Sequence, residues 1–152
     1  MRRFGPAPVA GQTYRDRPGA YAVIVSGGEV LLAEQGGALL LPGGGIEAGE
    51  SVLAALHREI REETGWRVAP VRRLGTFQRY AWLQEEERWC RKIAHIHLCR
   101  AVRRLGPPVE PDHVPVWVRA GLAVDLLYQD GERVFAARAI GVPEEALKLR
   151  GI

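Results

Sequence analysis

The sequence predicts an α/β protein of the α+β type, with a mixed central β-sheet sandwiched between helices. Two short apolar segments joined by a glycine pair predict an early hairpin, and two long β segments follow a central helix. A second helical region lies near the C-terminus. The 152 residues, 47% hydrophobic and 26% charged, suit one globular domain with its own core. We therefore expect a single domain over residues 1–152.

The elements are predicted in order from apolar periodicity and from turn residues. Proline and glycine interrupt residues 1–18, which are expected to be irregular or to form an edge segment. Gly27-Gly28 between two apolar runs is typical of a two-residue hairpin turn. Residues 42–45, Pro-Gly-Gly-Gly, are expected to form a loop where backbone approaches a ligand closely. The predicted strands cover residues 20–26, 29–34, 39–41, 68–83, 88–103 and 114–118, and the predicted helices cover 51–63, 121–128 and 131–140.

The central helix is the most informative element of the chain. Ser51 suits its start, and Gly65 is a good residue to end it. Rotation by about 100° per residue predicts one apolar face made of Val52, Leu53, Leu56 and Ile60. The same rotation brings Glu59 and Glu63 to the edge of that face, with Glu62 one step further round.

Carboxylates at the edge of an apolar face need a compensating charge. Like charges four residues apart cost a few tenths of a kcal/mol even on an exposed helix, and desolvation adds to that cost. Mg²⁺ binds carboxylate oxygens and bridges them to substrate phosphates. For an arbitrary helix, a solvated face with an Arg58–Glu62 ion pair would be the better interpretation. The adjoining glycine loop and the full spacing favour a metal site here.

The segment from Gly44 to Trp66, GGIEAGESVLAALHREIREETGW, is similar to the Nudix box, G-x5-E-x7-R-E-U-x-E-E-x-G-U, where U is bulky and apolar. Seven fixed identities at set offsets arise by chance on the order of once in a million in a chain of this size. Only Trp66 departs from the usual aliphatic residue, which alters packing and no ligand. The matching positions are Gly44, Glu50, Arg58, Glu59, Ile60, Glu62, Glu63 and Gly65.

The resemblance implies a role for each residue of the box. Glu59, Glu62 and Glu63 would bind the metal, with the Gly43 carbonyl as a further ligand. Glu50 and Arg58 would orient the loop and helix through a salt bridge. The substrate-binding backbone would be Gly43, Gly44 and Gly45, where Gly44 lets the loop pass close to the metals and the pyrophosphate.

The resemblance also implies hydrolysis of a nucleoside diphosphate linked to another moiety, with Mg²⁺ or Mn²⁺ as cofactor and water as nucleophile. Positioning and charge stabilisation would supply most of the rate enhancement. The general base varies in this family and can be a box glutamate or an acid from a later loop. Glu110 is favoured because it precedes the strand carrying Trp117. The other downstream candidates are Glu85, Glu86, Glu87 and Asp112.

Two alternative functions remain open at this point. One is hydrolysis of non-nucleotide polyphosphates such as diphosphoinositol phosphates, which the basic residues of the two long β segments favour slightly over ADP-ribose. The other is a non-catalytic nucleotide- or RNA-binding module. The net charge of +3 is small and no dense Lys/Arg run exists, which argues against a nucleic-acid partner. A small phosphorylated molecule is the expected partner.

Histidines and aromatic residues outside the box have two interpretations each. His95 and His97 alternate on one predicted strand, yet two ligands are too few for a closed metal site. Tyr80, Trp82, Trp89 and Trp117 are explained by core packing as well as by base stacking. Tyr80 is retained as a candidate substrate-binding residue.

Location and assembly are predicted only coarsely. No run reaches the roughly 18 apolar residues of a membrane helix, and no signal-peptide core follows Arg2 and Arg3. Cys90 and Cys99 are an odd number of residues apart on one predicted strand, so they point to opposite faces. We expect a cytoplasmic protein without a membrane partner. A homodimer remains open, as does the identity of the substrate.

Overall fold

The computed structural model describes all residues, 1–152. The strands are β1 (Arg2–Arg3), β2 (Arg15–Ser26), β3 (Glu29–Gln35), β4 (Ala38–Leu40), β5 (Gly43–Gly45), β6 (Trp66–Leu83), β7 (Arg88–Arg104) and β8 (Val114–Arg119). The helices are α1 (Val52–Thr64), α2 (Ala120–Leu126) and α3 (Asp130–Ile140), followed by a 3₁₀ turn at Glu144–Ala146.

One mixed sheet organises the chain. Its strand order is β1-β6-β7-β2-β3-β4, with β5 added to β2 and β8 added to β3. β2 runs parallel to β7 and β1 runs parallel to β6, whereas the other pairs are antiparallel. The predicted hairpin is present, since Gly27 and Gly28 both adopt positive φ between paired Ser26 and Glu29.

Apolar cores lie on both faces of this sheet. One joins the sheet to α1 through residues such as Ile24, Leu56 and Ile60, and the other joins it to α2 and α3 through residues such as Val134 and Phe135. The predicted mixed sheet between helices is therefore confirmed. No helix is both long enough and apolar enough to cross a membrane.

Two predictions in the first third of the chain need correction. Within residues 1–18, β1 does lie at the edge of the sheet as expected, but the irregular part is shorter than predicted, because β2 begins at Arg15, where it pairs with Cys90 of β7. Gly43–Gly45 is a strand and not a loop, since it pairs with Gly19–Tyr21 of β2. Both pairings join segments that are distant in sequence, so no local pattern announces them.

The ends of α1 agree with the prediction to within one residue. Ser51 Oγ accepts a hydrogen bond from the Ala54 N–H at 3.1 Å, and Gly65 ends the helix in the left-handed conformation. The apolar face is narrower than predicted: Leu56 and Ile60 are buried, but Leu53 is 46% exposed. Trp66 follows the helix and packs edge-to-face on Trp117, with ring centroids 5.4 Å apart.

The start of α3 is held by the last residues of the chain. The buried Asp130 carboxylate accepts hydrogen bonds from the Arg150, Gly151 and Ile152 N–H groups, and the Asp130 N–H donates to the Ile152 carbonyl at 2.8 Å. These contacts fix the position of the helix end that carries Glu132.

Candidate active site

A cleft of about 370 Å³ opens beside β5 and the C-terminal half of α1. Gly43–Gly45 line it, together with residues from β2, β7 and the start of α3. Its charged and polar lining comprises Arg17, Gln35, Glu59, Glu63, Glu85, Lys92, Glu110, Asp112, His113, Gln129 and Glu132. The glycine segment and two carboxylates of α1, those of Glu59 and Glu63, therefore share one cavity, whereas Glu62 does not line it.

Two groups of three ligand side chains lie close enough to hold a metal ion. Glu59, Glu62 and Glu110 form one group, and Glu63, Glu110 and His113 form the other, with ligand atoms within 4.8 Å of one another in each. Carboxylate oxygens dominate both groups, which suits a hard divalent cation. Burial raises the pKa of Glu59, because desolvation disfavours its charged form. The residues present therefore fit a divalent metal.

Glu63 is the most deeply buried acid of these groups. Its Oε2 accepts a hydrogen bond from the Gly43 N–H at 3.0 Å, and its Oε1 lies 3.3 Å from His113 Nε2. Burial raises the pKa of Glu63 to about 8. A bound cation would stabilise the ionised form that desolvation disfavours.

Arg58 joins the glycine segment to the acids of α1. Its Nε and Nη2 each donate to Glu50 at 2.8 Å, and Nη2 also donates to the Gly45 carbonyl at 2.9 Å. Nη1 donates to Glu59 at 2.9 Å and to Glu62 at 3.4 Å. Hydrogen bonding by Arg58 lowers the pKa of Glu50 to about 2. All five N–H donors of the guanidinium are thus used within the protein.

Glycine is required at two positions of β5 by close contacts. A Cβ at Gly44 would lie 2.5 Å from the Glu59 carboxylate, so a side chain there would displace a candidate ligand. A Cβ at Gly43 would collide with the Ala20 carbonyl, and its φ of +148° also disfavours other residues. The glycine segment packs directly against the acidic side chains.

The loop before β8 brings two more side chains to α1. Its backbone N–H groups at Val109 and Glu110 donate to the Glu62 carbonyl at 2.8 and 3.2 Å. Glu110 Oε2 then lies 2.9 Å from His113 Nδ1. The sequence pointed to Glu110, whereas His113 was missed, because only docking of this loop places it against Glu63.

The cleft also contains a buried acid that the sequence did not indicate. Glu132 Oε2 accepts a hydrogen bond from the Leu41 N–H at 3.1 Å. Burial raises the pKa of Glu132 to about 7. Lys92 and Tyr21 line the cleft together with Glu132, with the Lys92 ammonium 5.7 Å from the centre of the Tyr21 ring. These residues come together through strand pairing and carry no sequence motif.

Replacing Glu132 with Gln is expected to flatten the pH dependence of stability in the metal-free protein. The folded pKa of about 7 exceeds the ordinary 4.5, so the folded state binds the extra proton between these values. Unfolding free energy therefore falls as pH rises through this window, by roughly 3 kcal/mol for this group. Urea denaturation at pH 5 and pH 8 in EDTA measures the change. An equal loss in wild type and Glu132→Gln would contradict it.

Several predicted residues lie elsewhere than expected. Tyr80 does not line the cleft; it packs on Tyr14 with ring centroids 4.8 Å apart, and Tyr21 is the aromatic residue that lines the cavity. Of the acids in the β6–β7 turn, Glu85 lines the cleft and Glu86 forms an ion pair with Arg17.

The candidate histidine and tryptophan side chains of the two long strands lie outside the cleft. His95 and His97 belong to neither group of potential metal ligands, and burial lowers the pKa of both. Trp82 and Trp89 pack edge-to-face on each other, with ring centroids 5.9 Å apart, but they are 46% and 40% exposed, so core packing does not account for them.

The fold is thus an α/β/α sandwich whose cleft combines acidic side chains with a glycine strand. The family model of the NUDIX domain matches residues 14–138 of this chain. The match spans most of the chain, so the chain belongs to the NUDIX domain family.

Solved structures agree with this assignment. A NUDIX hydrolase from Nitrosomonas europaea superposes with a TM-score of 0.63 at 20% identity, covering 90% of this chain and 99% of its own. A MutT NUDIX hydrolase from Burkholderia pseudomallei has a TM-score of 0.60 at 27% identity, and the match covers 80% of this chain and 96% of the other. A MutT protein from Methanosarcina mazei Go1 has a TM-score of 0.62 at 25% identity, and the match covers 82% of this chain and 93% of the other. No curated protein matches the sequence. The predicted enzyme class, a Nudix-type pyrophosphohydrolase, is confirmed.

Proposed function

We propose that this enzyme hydrolyses a pyrophosphate bond in a nucleoside diphosphate linked to another moiety, with Mg²⁺ or Mn²⁺. The observation that carries the proposal is the group Glu59, Glu62 and Glu110, of which Glu59 and Glu110 line the same cleft as the glycine strand. Degenerate modules of this family generally lack box acids, whereas all of them are present here. This favours catalysis over a binding-only role.

Glu59, Glu62 and Glu63 would hold the cation, with the Gly43 carbonyl as a further ligand. When bound, a divalent cation neutralises charge on pyrophosphate oxygens and lowers the pKa of water. Arg58 orients Glu59 and the Gly45 carbonyl through hydrogen bonds of 2.9 Å, so it acts as a positioning residue. Gly44 leaves room for the pyrophosphate to approach the α1 acids.

Glu110 is the proposed general base. It lies within 4.8 Å of the Glu59 and Glu62 ligand atoms and is held by the backbone hydrogen bond to α1. His113 Nδ1, 2.9 Å from Glu110, would hold its carboxylate in place. Unchanged turnover in Glu110→Gln across the pH range would remove this role.

The nucleoside end of the substrate is proposed to lie by Tyr21, Gln129 and Glu132. An aromatic ring, an amide and a carboxyl group can stack on and hydrogen-bond a base, which is how polar groups give specificity in a pocket. Cytoplasmic location and assembly as a homodimer stay predictions, for which cell fractionation and sedimentation are the measurements.

Phosphate release from a panel of nucleoside diphosphate derivatives tests the function, with Mg²⁺ or Mn²⁺ and a coupled phosphatase. The panel includes nucleoside triphosphates, dinucleoside polyphosphates, ADP-ribose and a diphosphoinositol phosphate. We expect metal-dependent turnover of one nucleotide class and none in EDTA. Turnover of the inositol compound alone would favour the alternative substrate. Silence of the whole panel with metal bound would overturn the proposal.

A further inference from the structure

Arg17 lies where two clefts meet. It lines the active-site cleft and also an adjoining cleft of about 530 Å³, and Gly45 and Glu59 line both. A Cβ at Gly45 would collide with the Arg17 guanidinium, so this side chain lies directly against the glycine strand. The position is next to the proposed path of the pyrophosphate.

The hydrogen bonds of Arg17 differ from those of Arg58. Arginine has five N–H donors, and Arg58 uses all of its own within the protein. Arg17 donates only through Nε, to Glu86. Its Nη1 and Nη2 make no hydrogen bond to protein. Four donors of a half-buried cation therefore remain available beside the active site.

We propose that Arg17 binds a phosphoryl oxygen of the substrate and that, in the free protein, Glu86 forms an ion pair with the Arg17 guanidinium and competes with the phosphate. The ligand is a di- or triphosphate chain, because a guanidinium matches phosphate oxygens through paired N–H groups. Arg15 and Arg88 line the adjoining cleft together with four acids, Asp16, Glu47, Glu59 and Glu86, so the cleft as a whole has no excess of positive charge and the binding group is Arg17 itself. The inference rests on the proposed function and adds a phosphate-binding residue outside the Nudix box.

Competition between Glu86 and phosphate gives this inference a distinctive consequence. Removing Arg17 removes the binding group, whereas removing the Glu86 charge removes its competitor. The two substitutions break the same ion pair but shift phosphate affinity in opposite directions. An ion pair that only stabilises the β6–β7 turn would respond alike to either substitution.

Calorimetric binding of inorganic tripolyphosphate, with Mg²⁺ in excess, tests the inference. We expect Arg17→Gln to weaken binding by about 10- to 100-fold, as for loss of a charge-assisted hydrogen bond. Glu86→Gln should tighten binding about three- to tenfold, since one competing charge is lost. Arg17→Lys should fall between wild type and Arg17→Gln. If thermal melting shows that Arg17→Gln is unfolded, the affinity of Arg17→Lys tests the inference instead.

Arg2→Gln is the matched control. Arg2 pairs with Glu144 at 2.6 Å, and neither residue lines either cleft. Its loss should leave tripolyphosphate affinity unchanged. Equal affinity in all variants, or weakening by both Arg17→Gln and Glu86→Gln, would overturn the inference.

The binding assay needs no turnover, so the two proposals can fail separately. Opposite shifts without hydrolysis of any panel compound would support the Arg17 site and refute the proposed function. Metal-dependent hydrolysis without opposite shifts would support the function and refute the role of Arg17.

Discussion

Replacing Glu63 with Gln is expected to lower kcat by about 10³-fold, as for loss of a main electrostatic group in an active site. The amide keeps the shape of the side chain and can still accept the Gly43 N–H, but it loses the charge proposed to bind metal. Burial raises the pKa of Glu63 to about 8, so the carboxyl group of the metal-free protein is largely neutral near pH 7. A neutral amide should therefore cost little stability.

Steady-state kinetics over a Mg²⁺ titration, with thermal melting of the same samples, checks this expectation. Glu47→Gln is the matched control, because its side chain is 72% exposed and it lies only 3.9 Å from Arg58. It removes one negative charge near the site without removing a proposed ligand, and should leave kcat within about twofold. Wild-type turnover in Glu63→Gln would refute the metal assignment.

Replacing Gly65 with Ala is expected to destabilise the protein by about 3 kcal/mol or more and to reduce activity. Gly65 has a φ of 75°, which costs an alanine about 1–2 kcal/mol. Its Cβ would also collide with the Gly106 carbonyl, so the chain from Leu105 onward must move. That chain carries Glu110 to α1, and its displacement would disturb the proposed general base.

Urea denaturation of Gly141→Ala separates the cost of the backbone conformation from the cost of the contact with Gly106. Gly141 also ends a helix, with a φ of 78°, but its added Cβ would meet nothing within 4 Å. It should cost only the conformational penalty, about 1–2 kcal/mol. Equal destabilisation by both substitutions would show that the contact with Gly106 carries no strain.

Elements defined by local chemistry could be predicted closely. Ser51 and Gly65 specify the ends of α1 through hydrogen bonds and backbone conformation within a few residues. The Gly27-Gly28 turn likewise specifies its own hairpin. Errors occurred where a distant segment decides the structure, as when pairing with β2 turns the predicted glycine loop into β5.

The site divides in the same way. Glu59, Glu62 and Glu63 could be read from helical spacing, because 3.6 residues per turn brings them to neighbouring positions without any other part of the fold. Tyr80 was misplaced because the face of a long strand that reaches the cleft depends on its partners. Tyr21 lines the cleft instead.

The family, the reaction class and the acidic helix follow from the sequence alone, since each depends on residues close together along the chain. The surroundings of that helix follow from the tertiary structure. Docking of the loop before β8 brings His113 to Glu63, and pairing of β2 with β5 brings Arg17 to the glycine strand. These contacts join residues tens of positions apart, and their geometry follows from packing that no local pattern encodes.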